Sequence, residues 1–144
     1  MKNNDIIITK NAKATQEIGE SFGKTLLGGV VALYGDLGSG KTTFVQGLAK
    51  GLGIKNRIIS PTFIIVRSYK LDTKKTTLFY HIDLYRTTNS DDFNGVGLFE
   101  ILSNPDNIVV IEWAEKMQGM LPKKRIDITF EYVDENKRNI LIKK

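Results

Sequence analysis

Apolar positions along the chain follow two rhythms. Ala14, Ile18, Phe22 and Leu26 recur every four residues with Gln16, Glu17 and Glu20 between them, the period of an amphipathic helix. Phe44, Val45, Leu48 and Leu52 predict a second helix, closing around Gly51 and Gly53. Elsewhere the apolar runs are short and β-branched, at residues 5–9, 30–34 and 108–111, and these predict strands. Two pairs of runs predict hairpins. Residues 64–71 and 76–84 are joined by Asp72-Thr73-Lys74-Lys75, and residues 125–133 and 138–142 by Asp134-Glu135-Asn136-Lys137. A further helix is expected to start at Asn89-Ser90-Asp91-Asp92, where a capping side chain precedes acids in the first turn. It carries Phe93, Val96, Phe99 and Leu102 and stops at Asn104-Pro105. Residues 114–120 read as a short helix halted by Pro122.

The strand at 30–34 runs straight into Gly35-Asp36-Leu37-Gly38-Ser39-Gly40-Lys41-Thr42-Thr43. This is G-x-x-x-x-G-K-T between a strand and a helix, the setting a phosphate-binding P-loop requires. Wrapping a polyphosphate in backbone N–H groups demands sharp turns and close approach, which Gly35, Gly38 and Gly40 permit. The helix N-terminus aims its unpaired amides at the same anion. Lys41 is expected at the β- and γ-phosphates of a nucleotide, and Thr42 in the shell of a Mg²⁺ ion, which keeps several waters and needs few protein ligands.

The run 108–111 is apolar throughout, as a strand buried on both faces should be, and it ends in Glu112. That is the position of a Walker-B acid, holding a metal directly or through water. Asp83, at the end of another apolar strand, is a second candidate for the metal or for the attacking water. Alternation puts Phe79, His81 and Asp83 on one face of that strand. A lone histidine such as His81 is more often structural than catalytic. Trp113 beside Glu112 fits either a base-stacking or a core role. Ser60 and Thr62 flank Pro61 soon after the P-loop helix. They form either a switch segment sensing the γ-phosphate or a strand-entry turn with capped backbone. The expected fold is α/β: a P-loop NTPase-like three-layer domain spanning 1–144, with a mixed central sheet and β-hairpins toward the edges.

Composition narrows the classes. In 144 residues there is no cysteine, which excludes disulfide scaffolds, thiolate nucleophiles and zinc-thiolate sites. No apolar run has the length of a membrane span or a signal peptide, so a cytoplasmic location is expected. The formal charge of +5 is spread along the chain, its densest groups being Lys74-Lys75, Lys123-Lys124-Arg125 and Lys143-Lys144. No interleaved aromatic motif accompanies them, so direct RNA contact is not expected.

Four motifs occur in order: the P-loop, Ser60-Pro61-Thr62-Phe63, His81-Ile82-Asp83-Leu84-Tyr85-Arg86 and Ile111-Glu112-Trp113. With them the chain resembles the TsaE (YjeE) family, small bacterial ATPases of tRNA threonylcarbamoyladenosine biosynthesis. The resemblance runs from Ala14 to about Pro122. It implies an accessory ATPase that binds the TsaB–TsaD heterodimer and supports its repeated turnover, TsaD being the transferase, with tRNA met only indirectly. It also implies Lys41 as the phosphate lysine, Thr42 and Glu112 as metal-site residues, Asp83 as the acid required for hydrolysis, Thr62 in the switch and Trp113 near the nucleotide. Arg86 is the internal candidate for an arginine finger, with a partner-supplied residue as the alternative. Two other readings stay open: a P-loop small-molecule kinase, and a nucleotide-gated binding protein with incidental hydrolysis. A GTPase is disfavoured, because Asn136-Lys137-Arg138-Asn139 lacks the final aspartate of the guanine-reading motif.

Overall fold

A computed structural model describes residues 4–58, 66–71, 78–87 and 97–144. The elements are β1 (Asn4–Thr9), α1 (Ala12–Thr25), β2 (Gly29–Tyr34), α2 (Lys41–Gly51), β3 (Val66–Lys70), β4 (Leu78–Asp83), α3 (Leu98–Ser103), β5 (Ile108–Glu112), a 3-10 turn (Ala114–Met117), β6 (Ile126–Tyr132) and β7 (Arg138–Lys143). The strands form one sheet in the order β1-β7-β6-β2-β5-β4-β3. Its middle, β6-β2-β5-β4, is parallel. β3, β7 and β1 add antiparallel at the two sides. The P-loop strand β2 and the acid-bearing strand β5 are therefore adjacent and central, as expected. β6 lies deeper than a terminal hairpin suggests, because it pairs parallel with β2 while β7 and β1 take the outer places.

The apolar runs are explained by cover on both faces. Val31, Leu33, Phe79, Ile108 and Val110 pack with Phe44, Val45 and Leu48 of α2. Val30, Ala32, Ile82, Val109 and Ile111 point the other way, against Leu98 of α3 and Ala114 and Met117 of the 3-10 turn. This is the three-layer arrangement of a parallel α/β sheet.

α1 is capped by Asn11, whose side chain accepts from the Ala14 N–H at 2.7 Å. Its stripe of Ile18, Phe22 and Leu26 packs on the core. Its most buried positions, however, are Thr15, Gly19 and Gly23, and they lie against α2. A Cβ at Gly19 would stand 2.2 Å from the Phe44 carbonyl oxygen, and one at Gly23 2.2 Å from that of Leu48. Reciprocally, a Cβ at Gly47 would stand 1.9 Å from the Gln16 oxygen, and one at Gly51 2.2 Å from that of Glu20. The two helices thus meet backbone to backbone, which only glycine allows.

One element differs in kind. The expected helix over 114–120 is a single 3-10 turn: Ala114 and Met117, three apart, are the buried pair, matching three residues per turn. Gly119 then adopts φ +85° and ends it. The expected helix start at Asn89–Asp92 lies outside the described residues, and α3 is the portion seen. Among the described residues no helix is long and apolar enough to cross a membrane.

Candidate functional site

The site forms where β2, β4 and β5 end side by side. Gly35, Gly38 and Gly40 have φ of +143°, +80° and +105°, so the turn from β2 to α2 follows a path closed to other residues. A side chain at Gly35 would also meet the Phe130 oxygen and Ser39 Oγ, both at 2.7 Å. The loop is pinned by Ser39 N–H donating to the Asp36 carbonyl at 3.1 Å. Asp36, Leu37 and Gly38 form its exposed tip. The first bond of α2 is Phe44 N–H to the Gly40 carbonyl, 3.0 Å. The amides of Lys41, Thr42 and Thr43 precede it, the usual unpaired donors of a helix start. Ser39 Oγ is buried and without a hydrogen-bond partner among the described residues. A cradle of glycines, free amides and an orphaned hydroxyl fits a phosphate group.

Lys41 is only 4% exposed. Its ammonium donates to the Gly35 carbonyl and lies 3.5 Å from the centroid of the Trp113 ring, a cation–π contact. Burial holds its pKa below the usual lysine value, against the opposing pull of Glu112, Glu115, Asp83 and Asp36. Trp113 is positioned by strain: at φ 61° it is the non-glycine residue with positive φ among the described residues. Its ring also packs on Tyr85 at 5.1 Å between centroids. Lys116 ties that loop down, donating to the carbonyls of Tyr85 at 2.5 Å and Thr87 at 3.1 Å.

Glu112 is 2% exposed. Its Oε1 accepts from the Thr42 hydroxyl at 2.9 Å, and its Oε2 lies 2.5 Å from Nε2 of His81, which is fully buried. Asp83 stands level with Glu112 across the β4–β5 pairing. It is nearly buried, and its Oδ1 accepts from the Tyr85 N–H at 3.0 Å. The structure thus gathers Lys41, Thr42, Asp83, Glu112 and Trp113 around the P-loop. Ser60 and Thr62 lie outside the described residues.

The hard oxygens of Thr42 and Glu112, already in contact, suit a Mg²⁺ ion. Among the described residues no three His, Cys, Asp or Glu side chains converge as a closed metal cage. An ion here would therefore keep waters or phosphate oxygens as its other ligands.

Two contacts at the site were not foreseen. Arg138, from β7, reaches the outside of the P-loop and donates to the Gly38 carbonyl at 3.0 Å. The same guanidinium holds the β6–β7 turn through the carbonyls of Asp134 at 2.5 Å and Lys137 at 2.8 Å. It also stacks on Tyr132, 4.5 Å from the ring centroid. The second is His81, through its contact with Glu112. Arg86, the internal candidate for an arginine finger, is exposed three residues beyond the end of β4.

Comparison with known proteins points one way. The family described as threonylcarbamoyl adenosine biosynthesis protein TsaE matches residues 9–140. The tRNA threonylcarbamoyladenosine biosynthesis protein TsaE of Borreliella burgdorferi is 42% identical over 130 residues, covering 89% of this chain and 92% of its own. That of Haemophilus influenzae is 40% identical over 111 residues, covering 77% of this chain and 67% of its own. The crystal structure of Bacillus subtilis YdiB superposes with a TM-score of 0.76 at 31% identity, over 99% of this chain and 86% of that one.

Proposed function

The chain belongs to the TsaE family, whose members serve tRNA threonylcarbamoyladenosine biosynthesis, and on that premise we propose that it is a MgATP-hydrolysing accessory to a heterodimer of TsaB and TsaD homologues. The observation that carries this reading is the Thr42–Glu112 hydrogen bond. It joins the start of the P-loop helix to the acid ending β5, beside a buried lysine.

The polyphosphate of ATP binds to the amides of residues 35–43 and to Lys41, whose buried ammonium gains an anionic partner in place of a carbonyl. Trp113 borders the nucleotide. Thr42 and Glu112 hold Mg²⁺, which when bound stabilises charge on the phosphoryl oxygens. Asp83, level with Glu112 on the neighbouring strand, orients the attacking water and accepts its proton. The water oxygen bonds to the γ-phosphorus as the bond to the β,γ-bridging oxygen breaks, and ADP and phosphate leave. Ser60 and Thr62 act as the switch that senses the γ-phosphate. The protein works in the cytoplasm and meets tRNA only through its partners.

The test is phosphate release from ATP and GTP, by the protein alone and with a purified TsaB–TsaD pair. Slow ATP hydrolysis that rises on adding the pair, and falls to background in Asp83→Ala while ATP binding persists, is the expected result. A pair that neither binds nor alters the rate would overturn the partnership. Full support of tRNA modification by Asp83→Ala would leave a nucleotide gate instead of a working ATPase.

A further inference from the structure

Glu112 has two carboxylate oxygens and a separate partner for each. Oε1 meets the Thr42 hydroxyl at 2.9 Å, and Oε2 meets His81 Nε2 at 2.5 Å. The three residues come from α2, β5 and β4, so the chain of contacts runs from the P-loop helix across the β4–β5 pairing. It depends on the parallel β4–β5 register, in which His81 stands opposite Val110 and Asp83 opposite Glu112. His81, two residues before Asp83, consequently reaches the carboxylate from the side away from the P-loop.

From this geometry we infer that His81 is a positioning residue for the metal site: it holds one oxygen of Glu112 so that the other stays turned toward Thr42. The inference rests on reading Thr42 and Glu112 as the metal-holding pair. A carboxylate on a strand end has two free side-chain torsions before its head group, and at 2% exposure an idle oxygen would be cut off from bulk solvent. Nε2–H supplies that donor. His81 Nδ1 is buried with no hydrogen-bond partner among the described residues, so the ring's one polar engagement there is Glu112. A purely structural core histidine would be expected to satisfy backbone groups; this one satisfies the acid. Partners of this kind, which orient a ligand without touching the metal, typically contribute about 10- to 100-fold in metal affinity.

Two amides separate positioning from packing. Glutamine places its Nε2 as many bonds from Cβ as histidine does, whereas asparagine carries its nitrogen one bond closer and falls short of Glu112. The experiment is calorimetric titration of ADP into wild type, His81→Gln, His81→Asn and His81→Leu, each in Mg²⁺ and in EDTA. Thermal melts verify that each variant is folded. Wild type is expected to bind ADP more tightly with Mg²⁺. His81→Gln should keep that gain to within about threefold, while His81→Asn and His81→Leu lose about tenfold or more of the Mg²⁺ affinity. Affinity in EDTA should be unchanged throughout, because the P-loop amides and Lys41 do not depend on His81. If His81→Asn keeps the same Mg²⁺ gain as His81→Gln, positioning is refuted. Equal losses with and without Mg²⁺ would refute it too, as a general packing effect. A wild-type protein whose ADP binding ignores Mg²⁺ would instead bring down the metal-site reading on which the inference stands.

Discussion

Gly47→Ala is the substitution on which the packing of the P-loop helix can be judged. A single methyl group here would stand 1.9 Å from the Gln16 carbonyl oxygen and 2.8 Å from its carbon. Ordinary contact begins near 3.4 Å, and the obstacle is helix backbone, which cannot turn aside as a side chain can. α1 must therefore retreat by about 1.5 Å, a gap wide enough to forfeit half or more of each dispersion contact it spans. The contacts at stake include the Phe22 ring on Phe44, 5.8 Å between centroids. Overpacking of this kind costs about 1–3 kcal/mol and at times more, and rigid backbone argues for the upper end. Alanine's better helix propensity returns about 1 kcal/mol. The net expectation is a loss of about 2 kcal/mol, or roughly 6 °C in melting temperature for a chain of this size. Urea unfolding followed by circular dichroism measures it. Gly119→Ala, which meets no atom within 4 Å, is the control and should lose only the cost of its positive φ, about 1 kcal/mol. A Gly47→Ala protein as stable as wild type would mean that propensity has won and the helices are not in backbone contact.

Lys41 gives a pH-dependent test. Its pKa is lowered in the folded protein by burial, so between that value and the unfolded one near 10.5 the unfolded chain binds the extra proton. Stability then rises with pH across this window, and the burial cost is fully present below it. Melts from pH 7 to 10.5 should show wild type gaining on Lys41→Met as pH rises; parallel curves would contradict the burial. Arg138→Ala should weaken ADP binding about three- to tenfold, by releasing the Gly38 carbonyl, while costing roughly 1 kcal/mol of stability or less because the contact is exposed. Calorimetry checks the first and urea unfolding the second. Unchanged ADP affinity would confine Arg138 to holding the β6–β7 turn.

What the sequence made legible was local. The P-loop, the apolar runs of β2 and β5 and the acid ending β5 each announce themselves within a dozen residues, because both-face burial and phosphate wrapping impose composition directly. The features that escaped depend on register between distant segments. His81 finds Glu112 only because β4 pairs parallel with β5, and Arg138 finds Gly38 only because β7 folds back over β6, itself laid beside β2. The helix contact was half visible. Gly19 and Gly23, and Gly47 and Gly51, each stand four apart, but the stronger apolar stripe at Ile18, Phe22 and Leu26 hid the second face. The 3-10 turn at Ala114 was missed because alanine and lysine favour a helix, whereas the positive φ of Trp113 and Gly119 on either side leaves room for one turn only.

The strand order also dictates when the molecule can form. Ile6 pairs with Leu141 and Ile7 with Ile140, so the outermost strand waits for a partner made more than a hundred residues later. β2 is flanked by β5 and β6, neither of which exists when the P-loop emerges from the ribosome. α1 and α2, whose glycines interlock close in sequence, can dock early, and β3 can pair with β4 as a local hairpin. Folding should accordingly be slow and should wait until β5, β6 and β7 have been made, as non-local parallel pairing requires. Until then the nascent chain carries an apolar strand, Val30 to Leu33, with both edges bare, a natural place for a chaperone to hold.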